Sequence, residues 1–213
     1  MVSTQALAII FLGVLFAGAF FVYPLLPPTI AVHWNALGEA DGFASKEAGV
    51  ALLPLITFFV GIILFFVPKL KGMQRIMQSF QREYDLFALT FILFLGYLFM
   101  LTTLWNLGYR FEFVSALVPG VAVLFLVLSH LLEKSKPNPF VGIRLPSTLK
   151  NPKIWKQVHV RAGKRLRGGT IIMLIGIFIP DYAVAFILLP LLYFVADSIW
   201  YAQKLQANEK KTA

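Results

Sequence analysis

An imidazole, a carboxamide and two carboxylates fall within nine residues of this chain, at His33, Asn35, Glu39 and Asp41. Oxygen donors at that density suit a hard cation such as calcium, and His33 with Glu39 or Asp41 suits zinc. The same groups can receive a peptide. Their spacing matches neither an EF-hand loop nor the His-Glu-x-x-His of a zinc-protease helix. The plainer alternative is a rigid turn, in which Asn35 and Asp41 bond backbone amides and Trp34 sits at a lipid interface. A divalent cation held by His33, Glu39 and Asp41 is therefore one expectation and the turn the other. No other cofactor is expected.

A second dense stretch lies at residues 136–149. Pro137, Pro139 and Pro146 forbid regular helix there, while Asn138 and Gly142 favour turns. Asn151-Pro152 reads as an N-cap followed by proline at the first helical position. The helix it starts places Ile154, Trp155, Val158 and Ala162 on one stripe, flanked by Lys153, Lys156, Lys164 and Arg165. That pattern predicts an interfacial helix, apolar face in the acyl boundary and lysines near anionic headgroups. The alternative is a docking surface for a cytoplasmic partner, built on Arg144 and the turn at 140–149.

The elements that carry these two stretches are set by hydrophobicity. Fifty-nine percent of the 213 residues are apolar, and the first 38 carry no Lys, Arg, Asp or Glu. A crossing helix needs about 20 mainly apolar residues. Six spans are predicted, at 5–25, 50–67, 86–107, 113–132, 167–179 and 182–201, in one all-α integral membrane bundle. The fifth is short and must start among Arg165 and Arg167 with those side chains snorkelling, or else be re-entrant, which would move the C-terminus to the other side. Residues 73–84 form an amphipathic lead-in to the third span. Three modules follow along the chain: 1–67 with the first loop, 68–112, and 113–206.

Alternating spans put 17 Lys and Arg on one face and only Lys46 and Arg110 on the other. By the positive-inside rule both termini are cytoplasmic, the 33–46 loop is outside and the 134–167 segment inside. The net charge of +9 then faces the anionic inner leaflet, and direct nucleic-acid binding is not expected. Ala17-Gly18-Ala19 resembles a signal-peptidase site, but no basic residue precedes it, so the segment is read as a retained span. The chain has no cysteine, which removes disulfides and thiolate chemistry.

Outside the two loops little chemistry remains. Asp197 lies inside the sixth span, where an ionisable group is a functional candidate by default, the plainer alternative being a pair with Lys204 or a basic loop residue. His130 and His159 fall on the inner side and His33 on the outer, about 30 Å of hydrocarbon apart, so they cannot share a catalytic site. No enzyme is expected, though an outer-face metal hydrolase stays as an alternative. A small-solute transporter or channel is the other, with Pro54, Pro119 and Pro190 as possible helix breaks. Gly13-x-x-x-Ala17 and Ala116-x-x-x-Gly120 fit close helix packing.

Together the two stretches resemble the SdpI family of bacterial and archaeal membrane proteins. The outer residues Leu26-Pro27, Ile30, His33-Trp34-Asn35, Gly38-Glu39, Asp41-Gly42 and Lys46 are similar to the N-terminal domain of unknown function common in that family. The inner residues Lys136-Pro137-Asn138, Gly142-Ile143-Arg144, Pro146, Thr148-Leu149, Trp155, His159 and Gly163 are similar to its C-terminal signature. Ser147 departs from it, standing where the family usually has Trp, and Val158 and Val160 replace the usual Thr and Arg. The resemblance implies an immunity protein that neutralises a secreted peptide toxin and relays its presence by holding a transcriptional repressor at the membrane. Ligand and partner contacts would then fall on His33, Trp34, Asn35, Gly38, Glu39, Asp41 and Lys46 outside. Inside they would fall on Asn138, Gly142, Arg144, Pro146, Thr148, Trp155 and His159.

Overall fold

The computed structural model describes residues 3–70 and 73–212. Of the basic residues counted above, Lys71 lies outside them, as do the side chains of Lys210 and Lys211. The elements in order are α1 (Thr4–Val22), β1 (Thr29–Trp34), β2 (Ala40–Ser45), α2 (Lys46–Phe66), the short α3 (Gln74–Met77), α4 (Gln81–Asn106), α5 (Phe113–Lys134), the short α6 (Pro146–Lys150), α7 (Pro152–Ile175) and α8 (Ala183–Thr212).

Among the described residues, five segments are long and apolar enough to cross a membrane: Thr4–Leu25, Lys46–Phe66, Gln74–Asn106, Phe113–Lys134 and Pro180–Glu209. This is a helical membrane protein. The predicted fifth span is the exception, because it takes in only the end of α7, whose first 16 residues carry six Lys and Arg. Composition therefore disqualifies the helix as a whole. Yet at about 36 Å it matches α5 in reach. Its Met173 packs with Ala183 of α8 against Val114 and Val118 in the opening turns of α5.

The helices form two groups of three. α1, α2 and α4 contact one another, α5, α7 and α8 contact one another, and α4 against α5 joins the groups. Backbones come close where side chains are missing. A Cβ at Gly163 of α7 would sit 2.7 Å from the Ser129 carbonyl oxygen of α5, so any larger residue would force those helices apart. Gly120 makes room for the Tyr97 ring, which a Cβ there would approach to 2.7 Å, but a Cβ on Gly13 would touch nothing within 4 Å. Only the second of the two small-residue motifs marks a contact. Pro54, Pro119 and Pro190 all lie inside continuous helices.

Two expectations are changed by the fold. The first is the all-α class, which holds for the bundle with one small addition, a two-stranded antiparallel sheet in the first loop: β1 pairs with β2 from Thr29↔Ser45 to Trp34↔Ala40, irregular around His33. β1 reads as extended in sequence. β2, with Gly42 and two alanines, carries too little β propensity to be seen alone and is held by its partner. The second concerns the interfacial helix. Ile154, Trp155, Val158 and Ala162 are buried inside the protein, not in lipid, Ile154 and Val158 against Ala202 of α8. An apolar stripe reports that a face is covered without reporting by what. The lead-in is also more broken than one amphipathic helix, passing from α3 through a 3-10 turn into α4. Its Met77, Phe80 and Tyr84 are buried with Leu131.

Candidate functional site: a hairpin and a loop knot at opposite ends of the bundle

The β1–β2 hairpin sits over the first turn of α5. Trp34 stacks on Phe113 with ring centroids 3.7 Å apart and planes 5° from parallel, and meets Trp105 edge-on at 5.5 Å. Asn106, at the end of α4, acts as a short substitute strand: its side chain accepts from the Ala31 amide at 2.8 Å and donates to the Ala31 carbonyl at 2.9 Å. Below, Ser45 bonds the Ala48 amide in the first turn of α2, as expected of a cap. Glu47 accepts from the Tyr23 hydroxyl, and the Lys46 ammonium lies 4.6 Å from the centre of the same ring.

At the tip, Asn35 Oδ1 accepts from the amides of Leu37 and Glu39, at 2.9 and 3.0 Å, while its Nδ2 donates to the Glu39 carboxylate. Gly38 carries φ +79, a backbone state that side chains resist. His33 Nδ1 lies 2.5 Å from Asp41 Oδ1, both groups exposed. The structure thus joins His33 to Asp41 and Asn35 to Glu39, in two separate pairs. The predicted triad of His33, Glu39 and Asp41 does not converge, and among the described residues no three such side chains are placed to hold one ion. Each carboxylate has taken a neighbour in the hairpin instead, which is the rigid-turn arrangement.

Beside the hairpin opens an apolar cavity of about 260 Å³, lined by Val32, His33, Trp34, Leu53, Phe113 and other residues of α2, α4 and α5. The Trp34 Nε1 donor is buried without a partner. Trp34, a candidate ligand contact that the rigid-turn alternative sets at the lipid interface, forms a wall of this cavity. Neither Asn106 nor Phe113 stood out in the sequence. An Asn closing an apolar run is the only signal that pointed there.

At the far end of α5 the chain ties a knot. Ser135 caps the helix, and its carbonyl accepts from Trp155 Nε1 at 3.0 Å. Asn138, buried, donates to the carbonyls of Lys136 and Val141 and accepts from the amides of Phe140 and Val141. Gly142 follows with φ +122; a Cβ there would overlap His159 Nε2. His159 stacks on Trp155 at 3.9 Å. Its Nδ1 donates to the Trp155 carbonyl at 2.8 Å, and its Nε2 accepts from the Ile143 amide at 2.9 Å. That bonding needs the neutral ring. Burial pushes the His159 pKa down to about 4, only partly opposed by the bond to Trp155. Thr148 closes the knot, accepting from the Leu145 amide and donating to the Ile143 carbonyl at 2.6 Å. Pro146 opens α6, and Asn151 caps α7 by accepting from the amides of Lys153 and Ile154.

These residues therefore form one hydrogen-bonded unit, with their polar atoms used inside the chain. Arg144 differs: it is exposed and its guanidinium donates to the Pro139 carbonyl. Phe140 and Leu149 are exposed on the same loop. Asp197 pairs with Arg161 through two bonds of 2.6 and 2.8 Å. Lys204, one of its expected partners, lies over the Trp200 ring. Arg167 pairs with Glu133 of α5.

Two family models match. Residues 9–58 match a domain of unknown function, DUF1648, and residues 134–201 match the SdpI/YfhL protein family. The immunity protein SdpI of Bacillus subtilis (strain 168) is 25% identical over 208 residues, which are 95% of this chain and 97% of that protein. No solved structure matches. The first match covers the hairpin and the second the knot. Two family segments in this order, with a relative aligned along almost the whole chain, make this protein similar to the SdpI/YfhL family from its hairpin to its knot.

Proposed function

We propose that this chain is an SdpI-like membrane immunity protein. Its hairpin end binds or neutralises an extracellular peptide, and its knot end relays that event to a cytoplasmic partner such as a repressor. The observation that carries the reading is the placement of two folded, non-helical elements on opposite ends of α5: Trp34 on Phe113 at one end, Trp155 on Ser135 at the other. A helix of 22 residues, about 33 Å long, connects them.

The peptide's apolar side chain enters the cavity beside Trp34, whose free indole N–H donates to a main-chain carbonyl of the peptide, and the exposed His33–Asp41 pair meets its polar groups. On the inner side Phe140, Arg144 and Leu149 form the contact surface, held in shape by Asn138, Gly142, Thr148, Trp155 and His159. In this reading α7 crosses the membrane as the fifth of six spans, both termini are cytoplasmic, and no metal or other cofactor takes part. Coupling requires two arrangements of the bundle that both ends bias.

The test is expression of this chain in a Bacillus subtilis strain that lacks its own SdpI, challenged with the toxin that strain is sensitive to. Protected growth is expected, lost on Trp34→Ala with membrane insertion intact, and kept on Arg144→Ala while the relay is lost. Normal insertion with no protection by the parent chain would overturn the reading.

A further inference from the structure

Two cavities open between α7 and α8 and share Lys164 and Arg165 in their walls. One, of about 560 Å³, is lined by Lys156, Arg161, Lys164 and Arg165 with Gln157, Val160 and Tyr201. The other, of about 460 Å³, runs on past Gly168, Gly169 and Ile172 of α7 and Leu189, Pro190 and Tyr193 of α8. The first is cationic and the second apolar. The boundary between them falls where the last charges of α7 give way to the uncharged stretch from Gly168.

Four cations surround the upper part, and the Asp197 carboxylate meets two of them. Asp197 is taken by Arg161 at 2.6 Å, with Arg165 a looser contact at 3.6 Å. The neighbouring carboxylate, Glu133, is taken by Arg167. Lys156 and Lys164 are exposed and make no ion pair among the described residues. The lower part is open for a physical reason. A Cβ at Gly168 would meet nothing within 4 Å, so the missing side chain leaves a channel and not a helix contact. From Lys164 to Ile172 the groove descends about 12 Å along α7, the distance from a headgroup into the upper acyl chain.

We propose that this groove binds one anionic glycerophospholipid. Lys164 and Arg165, with Lys156 above them, hold its phosphate, and one acyl chain lies over Gly168 and Gly169 against Leu189 and Pro190. A cationic mouth continuous with a greasy channel fits an amphiphile with a negative head. A water-soluble partner cannot reach Ile172 and Leu189 once these helices lie in lipid. The proposal rests on α7 and α8 being membrane-embedded but not on toxin binding, and its test reads lipid retention, so either can fail without the other.

The experiment is native mass spectrometry of the full chain in a neutral detergent, titrated with dioleoyl phosphatidylglycerol or dioleoyl phosphatidylcholine. The parent chain should retain one phosphatidylglycerol with about tenfold preference over phosphatidylcholine, and Lys164→Gln should weaken it by about fivefold. Gly168→Leu keeps every charge and fills the channel, and should weaken both lipids. Lys69→Gln with Lys150→Gln, a larger charge loss away from the groove, should leave retention within about twofold. Equal retention of the two lipids would overturn the proposal. So would an equal loss in the Lys69/Lys150 control, or full displacement by glycerol 3-phosphate, which would mark a soluble phosphate ligand.

Discussion

His159 is 1% exposed, stacked on Trp155 and bonded through both ring nitrogens, one donating to the Trp155 carbonyl and the other accepting from the Ile143 amide. A ring held neutral has a pH signature. Its folded pKa is about 4 and its unfolded value about 6.5. Between those values the unfolded chain binds the extra proton, so stability is full above about pH 6.5, falls on acidification, and levels below about pH 4. The loss reaches about 3 kcal/mol at most. Thermal melts of detergent-solubilised protein from pH 7.5 to 4 should show this slope, and His159→Gln should flatten it. A parent melting temperature unchanged across that range would contradict the bonding described. Gly142 belongs to the same account: with φ +122 beneath His159, its glycine is required by shape and backbone together.

Among the elements, the hairpin depends on a residue 75 positions away. Asn106 satisfies both main-chain groups of Ala31 on the outer edge of β1, so the sheet has two strands and a side chain where a third strand would lie. A two-stranded hairpin is marginal alone. Asn106→Ala leaves that edge unpaired, at a cost of about 1–3 kcal/mol. The hairpin should then fray while the helices stand. Limited proteolysis should cut the 35–39 tip several times faster in the variant, with the helical circular dichroism unchanged. An unchanged cleavage rate would show that the Trp34–Phe113 stack suffices.

The existence of this loop and its turn at Asn35 were legible, because turn chemistry is local. The second strand, the Asn106 clasp and the stack on Phe113 were not, because each needs a partner distant in sequence. The loop at 136–149 repeats the lesson: proline and glycine marked it as irregular, and Asn151-Pro152 marked the start of α7. Nothing local said that the stripe from Ile154 to Ala162 would be covered by α8 instead of lipid.

For the whole molecule, the open quantity is how often the chain crosses. The chain has no cysteine, so single cysteines report sidedness without background. With six crossings, Leu37→Cys at the hairpin tip and Asp181→Cys at the α7–α8 turn should react with an impermeant maleimide in intact cells. Leu149→Cys on the inner loop should react only after permeabilisation. Labelling of Asp181→Cys from the inside would mean five crossings and would move the C-terminus outside. The charge asymmetry predicts six, since Lys and Arg near the ends of spans resist translocation.

Sequence alone determined that the chain is a helical membrane protein, where its irregular loops lie, and which family it resembles. Lipid makes those inferences strong, since apolar length must become helix where no water can satisfy the backbone. Tertiary structure alone decided which side chains meet: His33 with Asp41, Asp197 with Arg161, His159 with Trp155 and the Ile143 amide. Those pairings arise from closing the helices on one another, and a one-dimensional pattern carries the demand for a partner but not its identity.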